Sequence, residues 1–140
     1  MVSSSQTRKF SLVRLSIQEL TKIYEQIKDK VDFTGKAGDL LRFYDIWGKS
    51  VVYKVESGYI RIEPYPGLGA ATVHGIFFGN PFRDGKNIKN VLDYYLEKHA
   101  EISRIECHVP KKFRGVAKLV ATIAQSSSYH DSKWIFYYGG

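Results

Sequence analysis

One cysteine, Cys107, stands alone in 140 residues. That excludes an internal disulfide framework and any zinc cluster built on thiolates. No stretch approaches the roughly 20 apolar residues that a membrane-crossing helix needs, so no membrane association is expected. The opening MVSSSQTRKF lacks the apolar h-region of a signal peptide, and a cytoplasmic location is the expectation. Histidine is sparse: His74, His99, His108 and His130 are all there are. None sits at a ligand spacing with a second donor on one helix face, and no metal site is expected. Acidic residues are in deficit, 14 against 21 Lys and Arg, which leaves a formal charge of +7. Such an excess favours acidic partners (nucleic acid, a phosphorylated cofactor, an acidic protein surface) without choosing among them.

What is present suffices for one core. Apolar residues make up 44% of the chain, with ten tyrosines and eight phenylalanines, enough for a single domain. The polar, Ser-rich residues 1–9 are expected to be loose, and the domain to span 10–140. There is no internal repeat. FSLVRL reads as a short strand. Ser16 and Glu19 then form a capping box, in which each side chain satisfies a backbone N–H at a helix start. Ile17, Leu20, Ile23, Tyr24 and Ile27 follow at helical spacing, carrying the helix to about Lys30. GDLLRFYDIW is a short helix or an irregular segment, with Gly35 and Gly38 breaking the chain before it and Gly48 after it.

From Ser50 the apolar period changes to two. SVVYKVES and YIRIEPY read as strands joined by a tight turn at Ser57-Gly58. PYPGLGA is a turn. ATVHGIFF, almost wholly apolar, reads as a central strand. Beyond NPFRDGKN, Ile88, Val91, Leu92, Tyr95 and Leu96 make one helix face. ISRIECHV alternates, with Ile105, Cys107 and Val109 one way and Glu106 and His108 the other. KKFRGVAKLVATIA puts Val116, Leu119, Val120 and Ile123 at helical spacing. SSSYHDS reads as a loop and KWIFYYG as a terminal strand, an aromatic edge able to pair within the chain or with another copy. A hairpin meander followed by crossover helices predicts an α/β domain whose mixed, mostly antiparallel sheet is flanked by helices.

NPFRDGKNIKN has the layout of an anion site: an apolar strand, a basic turn, then a helix N-terminus. Its single glycine is Gly85.

This order of elements resembles the GCN5-related N-acetyltransferase (GNAT) fold over nearly the whole chain, from about Phe10 to Tyr138. LVRLSIQEL is similar to that family's first strand, cap and helix, and VVYKVESGYIRIEPY to its hairpin. ATVHGIFFGNPFRDGKNIKNVL is placed like its core strand, pyrophosphate loop and following helix, and IECHVPKKFRGVAKLVATIA like its next strand and helix. The family's loop reads Gln/Arg-x-x-Gly-x-Gly/Ala, its glycines letting backbone N–H groups close around a pyrophosphate. Anchored on Arg83, the two glycine positions fall on Lys86 and Ile88, and Gly85 is displaced by one. On the later helix the family's Asn falls on Phe113 and its general-acid Tyr on Val120. Tyr129 and Tyr137 are the nearby substitutes.

The resemblance implies cofactor contacts at Arg83, Gly85, Lys86, Asn87 and Ile88. It also implies a base or water relay among His74, Glu106 and His108, with Glu56 and Glu63 left on the solvent side of the hairpin. His74, within an apolar run, also reads as a core histidine. With both chemical motifs altered, the chain is similar to GNAT-like accessory proteins of tailed bacteriophages. On that expectation it binds no cofactor and works through contacts with virion or head-assembly proteins, or with itself, in the host cytoplasm or the virion. The alternative is an acetyl-CoA-dependent N-acetyltransferase acting on an amine. Nucleic acid is a third partner class, resting on the aromatic–basic interleaving of KKFR and RFYDIWGK. The first two readings separate at one place. An enzyme needs an open V between the core strand and the next, whereas a binding protein fills it with Phe77, Phe78 or Ile88.

Overall fold

The computed structural model describes residues 10–27, 40–65 and 67–139. In chain order these form β1 (Ser11–Val13), α1 (Ile17–Ile27), α2 (Leu40–Lys49), β2 (Val51–Val55), β3 (Gly58–Tyr65) and β4 (Ala70–Phe77). A 3-10 turn (Pro81–Asp84), α3 (Gly85–Lys98), β5 (Arg104–Pro110), α4 (Arg114–Ala121), β6 (Ser126–His130) and β7 (Lys133–Gly139) follow. One sheet takes all seven strands in the order β1-β2-β3-β4-β5-β7-β6. β4 and β5 run parallel, and every other neighbouring pair is antiparallel. β4 lies at the centre, as its apolar run predicts.

The capping box forms as read. The Ser16 N–H donates to Glu19 Oε1 and the Glu19 N–H to Ser16 Oγ, both at 3.1 Å. α1 then buries Leu20, Ile23 and Ile27. Its continuation to Lys30, and the glycines at 35 and 38, lie outside the described residues. The segment left open between helix and irregular chain is helical, and Gly48 sits inside that helix rather than ending it. α1 and α2 cover one face of the sheet around Val52, with Phe43 and Trp47. α3 covers the other, its Ile88, Val91, Leu92 and Tyr95 meeting Tyr53, Ile60, Ile62, Ala71 and Ile105. Leu119 brings α4 to that same face. Val116, expected on the apolar side of α4, is 48% exposed.

Three local readings differ from the structure. Val55 pairs with Gly58, so the β2–β3 turn is Glu56-Ser57, one residue earlier than expected. Gly58 is needed in the sheet itself, because a Cβ there would fall 1.9 Å from the Ile76 carbonyl oxygen. SSSYH is not a loop but strand β6, hidden by the weak strand preference of serine. Asp131 and Ser132, at φ 51° and 62°, make its two-residue hairpin turn to β7. β7 is therefore interior, between β5 and β6, and β6 is the edge.

Candidate functional site

β4 and β5 pair at only three positions, Ala70–Arg104, Ala71–Ile105 and Thr72–Glu106. Both strands continue, β4 to Phe77 and β5 to Pro110, without pairing further. The sheet therefore opens as a V at its middle, and the backbone edges beyond Thr72 and Glu106 have no strand partner across the gap. On the helix side the V widens into a cavity of about 410 Å³. Its walls are Val73, Gly75 and Phe77 of β4, Ile105 and Cys107 of β5, Ile88 and Leu92 of α3, and Val116, Leu119 and Val120 of α4. Pro81 and Phe82 stand at its rim. An apolar slot with free peptide groups along its bottom suits a narrow chain carrying a few amides. Of the side chains considered as plugs, Phe77 and Ile88 are walls. Phe78 is 45% exposed and meets Tyr59 edge-on at 6.4 Å, away from the slot. Burial pushes the Cys107 thiol up to about 12, so it stays protonated and serves as wall.

The loop at the rim is wound on itself. The Asn80 side chain accepts the Phe82 N–H at 3.1 Å, its carbonyl accepts the Arg83 N–H at 3.1 Å, and the Gly85 N–H goes to the Phe82 carbonyl. Gly85 is right-handed helical (φ −50°), so its conformational freedom is not used. Ile88 lies in the core face of α3. Asp84, 3% exposed, ties the turn to the β2–β3 hairpin: it accepts the Ser57 N–H at 2.7 Å, the Ser57 hydroxyl, and Asn87 Nδ2 at 3.0 Å. Burial alone would raise its pKa, but the Ser57 and Asn87 hydrogen bonds outweigh it and hold the carboxyl below its ordinary value. Three N–H groups of the loop are thus spent internally. What it offers a phosphate is the charge of Arg83 and Lys86, both exposed.

The opposite face of the V gathers the titratable candidates. Glu106, 9% exposed, accepts from Arg104 Nε at 2.9 Å and pairs with His108 Nε2 at 3.1 Å. Across the gap, His74 sits in register with Arg61 of β3. Arg61 is buried against Trp47 and bonds Glu63 at 2.6 Å. His74 is exposed rather than a core histidine. Partial desolvation, then the Arg61 guanidinium, push its pKa down to about 4, leaving a neutral imidazole at pH 7. Tyr137 pairs in register with Glu106, lies under the Arg104 guanidinium at 5.7 Å and shares a hydrogen bond with Ser128 at 3.1 Å. Tyr129 is elsewhere, edge-on to Trp134 at 5.5 Å. Val120 lines the slot and Phe113 precedes α4 without capping it.

The five loop residues thus divide: Ile88 is a buried wall of the slot, Asn87 is tied to Asp84, and Arg83 and Lys86 are exposed beside Gly85 on the turn, while the three base candidates alternate to the other face of β4 and β5. The Asp84–Ser57 tie had no signal in the sequence, since its partners are 27 residues apart. Among the described residues no helix is long and apolar enough to cross a membrane, and no cluster of three or more metal-ligating side chains occurs.

The sequence matches no protein-family model and no curated protein. Its fold does match solved structures. A GNAT-family acetyltransferase from Bacillus anthracis superposes with a TM-score of 0.64 at 12% identity, over 94% of this chain and 93% of that one. A spermidine N-acetyltransferase chimera of the Vibrio cholerae and human enzymes gives 0.62 at 15%, over 94% and 95%. RimL, a ribosomal L7/L12 α-N-protein acetyltransferase in complex with coenzyme A, gives 0.66 at 8%, over 99% and 96%. At such identities the likeness is one of fold, and the chain has the GNAT fold along its length.

Proposed function

We propose that the protein is an N-acyltransferase, moving an acetyl-sized group from a CoA thioester to an amine. The observation that carries this is the open V. The two strands part after Thr72 and Glu106, and the slot between them is walled, not plugged. A non-catalytic assembly role would rest on a filled cleft, which these residues do not build.

Acetyl-CoA, when bound, supplies an activated acyl carbonyl. The unpaired edges of β4 and β5 offer peptide groups to its pantetheine amides, and the apolar walls exclude water from the thioester. Arg83 and Lys86 supply the charge for its phosphates. On the other face, neutral His74 can take a proton from the amine at an imidazole nitrogen. Glu106 holds its strand neighbour His108 on β5, and in this reading the Tyr137 hydroxyl, hydrogen-bonded to Ser128, would give a proton to the leaving group. The neighbours named above act on a polyamine and on a protein amino terminus, so an amine is the acceptor class and no more is assigned.

Calorimetric titration with acetyl-CoA, with CoA as control, tests the reading. Micromolar binding, about 8 kcal/mol, supports it, and thiol release on adding candidate amines then identifies the acceptor. No heat at millimolar cofactor overturns it and returns the protein to a role in protein contacts.

A further inference from the structure

The charge excess is concentrated at one end of the molecule. From Cys107 to the C-terminus the chain carries Lys111, Lys112, Arg114, Lys118 and Lys133 against Asp131 alone, so more than half of the net +7 lies in its last quarter. The fold gathers these cations. The Lys111 N–H donates to the Ser132 carbonyl at 3.0 Å, fastening the β5–α4 corner to the β6–β7 turn. Pro110 pairs with Lys133 in register. Arg114 in the first turn of α4, Lys118 in its last turn, and Lys111 and Lys133 at the corner enter no ion pair among the described residues.

Aromatic rings lie among them. Tyr129, 48% exposed, packs edge-on against Trp134. Trp134 and Phe113 both pack against Val109, Ala117 and Phe136, on the α4 side of the sheet. The Lys112 ammonium lies over the Phe113 ring at 5.2 Å. The result is a corner where the β6–β7 hairpin carries the open Tyr129 ring on the face it shares with Trp134, next to the β5–α4 turn that bears Lys111, Lys112 and Arg114, while Lys133 alternates to the other face of the hairpin.

We infer that this corner binds single-stranded nucleic acid, independently of the V. Unpaired Lys and Arg answer a run of phosphates, and an open tyrosine ring beside a tryptophan answers an unstacked base. An acidic protein surface would be met by the cations alone and would make no call on the Tyr129 ring. A duplex hides its base faces and would likewise leave that ring unused.

The test is fluorescence anisotropy with labelled oligo-dT and oligo-U of about 20 nucleotides, titrated at two salt concentrations, with polyglutamate and a duplex of equal length as competitors. Four phosphate contacts give a log–log salt slope of about −3. Lys111→Glu with Lys133→Glu is expected to weaken binding at least tenfold and flatten that slope. Tyr129→Ala is expected to weaken it several-fold with the slope unchanged. Neither change touches the V, so acetyl-CoA titration and the melting temperature serve as controls for folding. No binding at low salt overturns the inference. So does binding that Tyr129→Ala leaves intact and polyglutamate displaces as well as oligo-dT does, which assigns the corner to an acidic protein.

Discussion

The V between β4 and β5 and the turn at the start of α3 adjoin each other, yet they meet the needs of a CoA thioester very differently. The V is a property of register. Three paired positions and then none leave free edges whatever the side chains are, provided that nothing large points inward. The turn is a property of individual residues. A backbone cradle needs N–H groups left free, and here Phe82, Arg83 and Gly85 spend theirs on a 3-10 turn while buried Asp84 locks that turn to Ser57. A fold can therefore keep the slot for the arm of a cofactor while its phosphate contacts pass from backbone to side chains.

The most direct way to break the comparison is to close the V. Val120 lines it and is only half-buried, so Val120→Trp places an indole in the slot without removing core contacts. Acetyl-CoA affinity is expected to fall by about 100-fold or more, ~2.8 kcal/mol, with a melting point lowered by no more than overpacking explains. Unchanged affinity would mean that the cofactor does not use this slot. The turn should respond in the other currency, stability. Asp84→Ala strands the buried Ser57 N–H and hydroxyl and releases Asn87, at a cost of about 2–3 kcal/mol in chemical unfolding. Ser57→Ala keeps the N–H bond to Asp84 and should cost about 1 kcal/mol.

This contrast also marks what could be read from the chain. The helix faces, the capping box, the central place of β4 and the mixed sheet were legible because each is a local period or a local cap. Glu106 and His108 sharing a face follows from strand alternation alone. β6 was missed because three serines carry no strand signal, and its existence depends on the left-handed pair Asp131-Ser132 folding it onto β7. Misplacing β6 as a loop made β7 look like an edge. Asp84 was invisible as an anchor because its partner is brought near only by the hairpin. His74 looked like core from its apolar neighbours, although strand alternation puts it on the face opposite Val73 and Phe77.

A smaller perturbation sharpens the division between backbone and side-chain recognition. Lys86 occupies a family glycine position, and Lys86→Gly would improve affinity if the loop could still close on phosphate through its N–H groups. With those groups already engaged, the substitution only removes a cation. Lys86→Gly and Lys86→Ala are expected to weaken acetyl-CoA binding alike, each by a few-fold at low salt and less at high salt. A gain with glycine alone would show that the turn can be reopened.

The smallest expected effect belongs to His74, which lies between Val73 and Gly75 on the β4 bank of the V. Its pKa is depressed from the ordinary histidine value to about 4 by desolvation and then by Arg61. The unfolded chain therefore binds a proton near pH 6.5 that the folded chain refuses until about pH 4. Between those values the unfolded state holds more protons, so stability falls as the pH is lowered through that window. Because His74 is exposed, solvent screening keeps the effect to about 1 kcal/mol or less. Urea unfolding of the wild type and of His74→Gln at pH 7.5 and pH 5 should show the variant losing less on acidification. The same shift sets the kinetics. If His74 takes the proton from the amine, the fall of kcat/KM on the acid side belongs well below pH 6.5, unless the ionisation of the amine itself comes first. His74→Gln should then lower kcat at every pH while leaving acetyl-CoA affinity alone. A variant with unaltered kcat would move the proton to His108 and Glu106 on the other bank, where Glu106→Gln is the corresponding change.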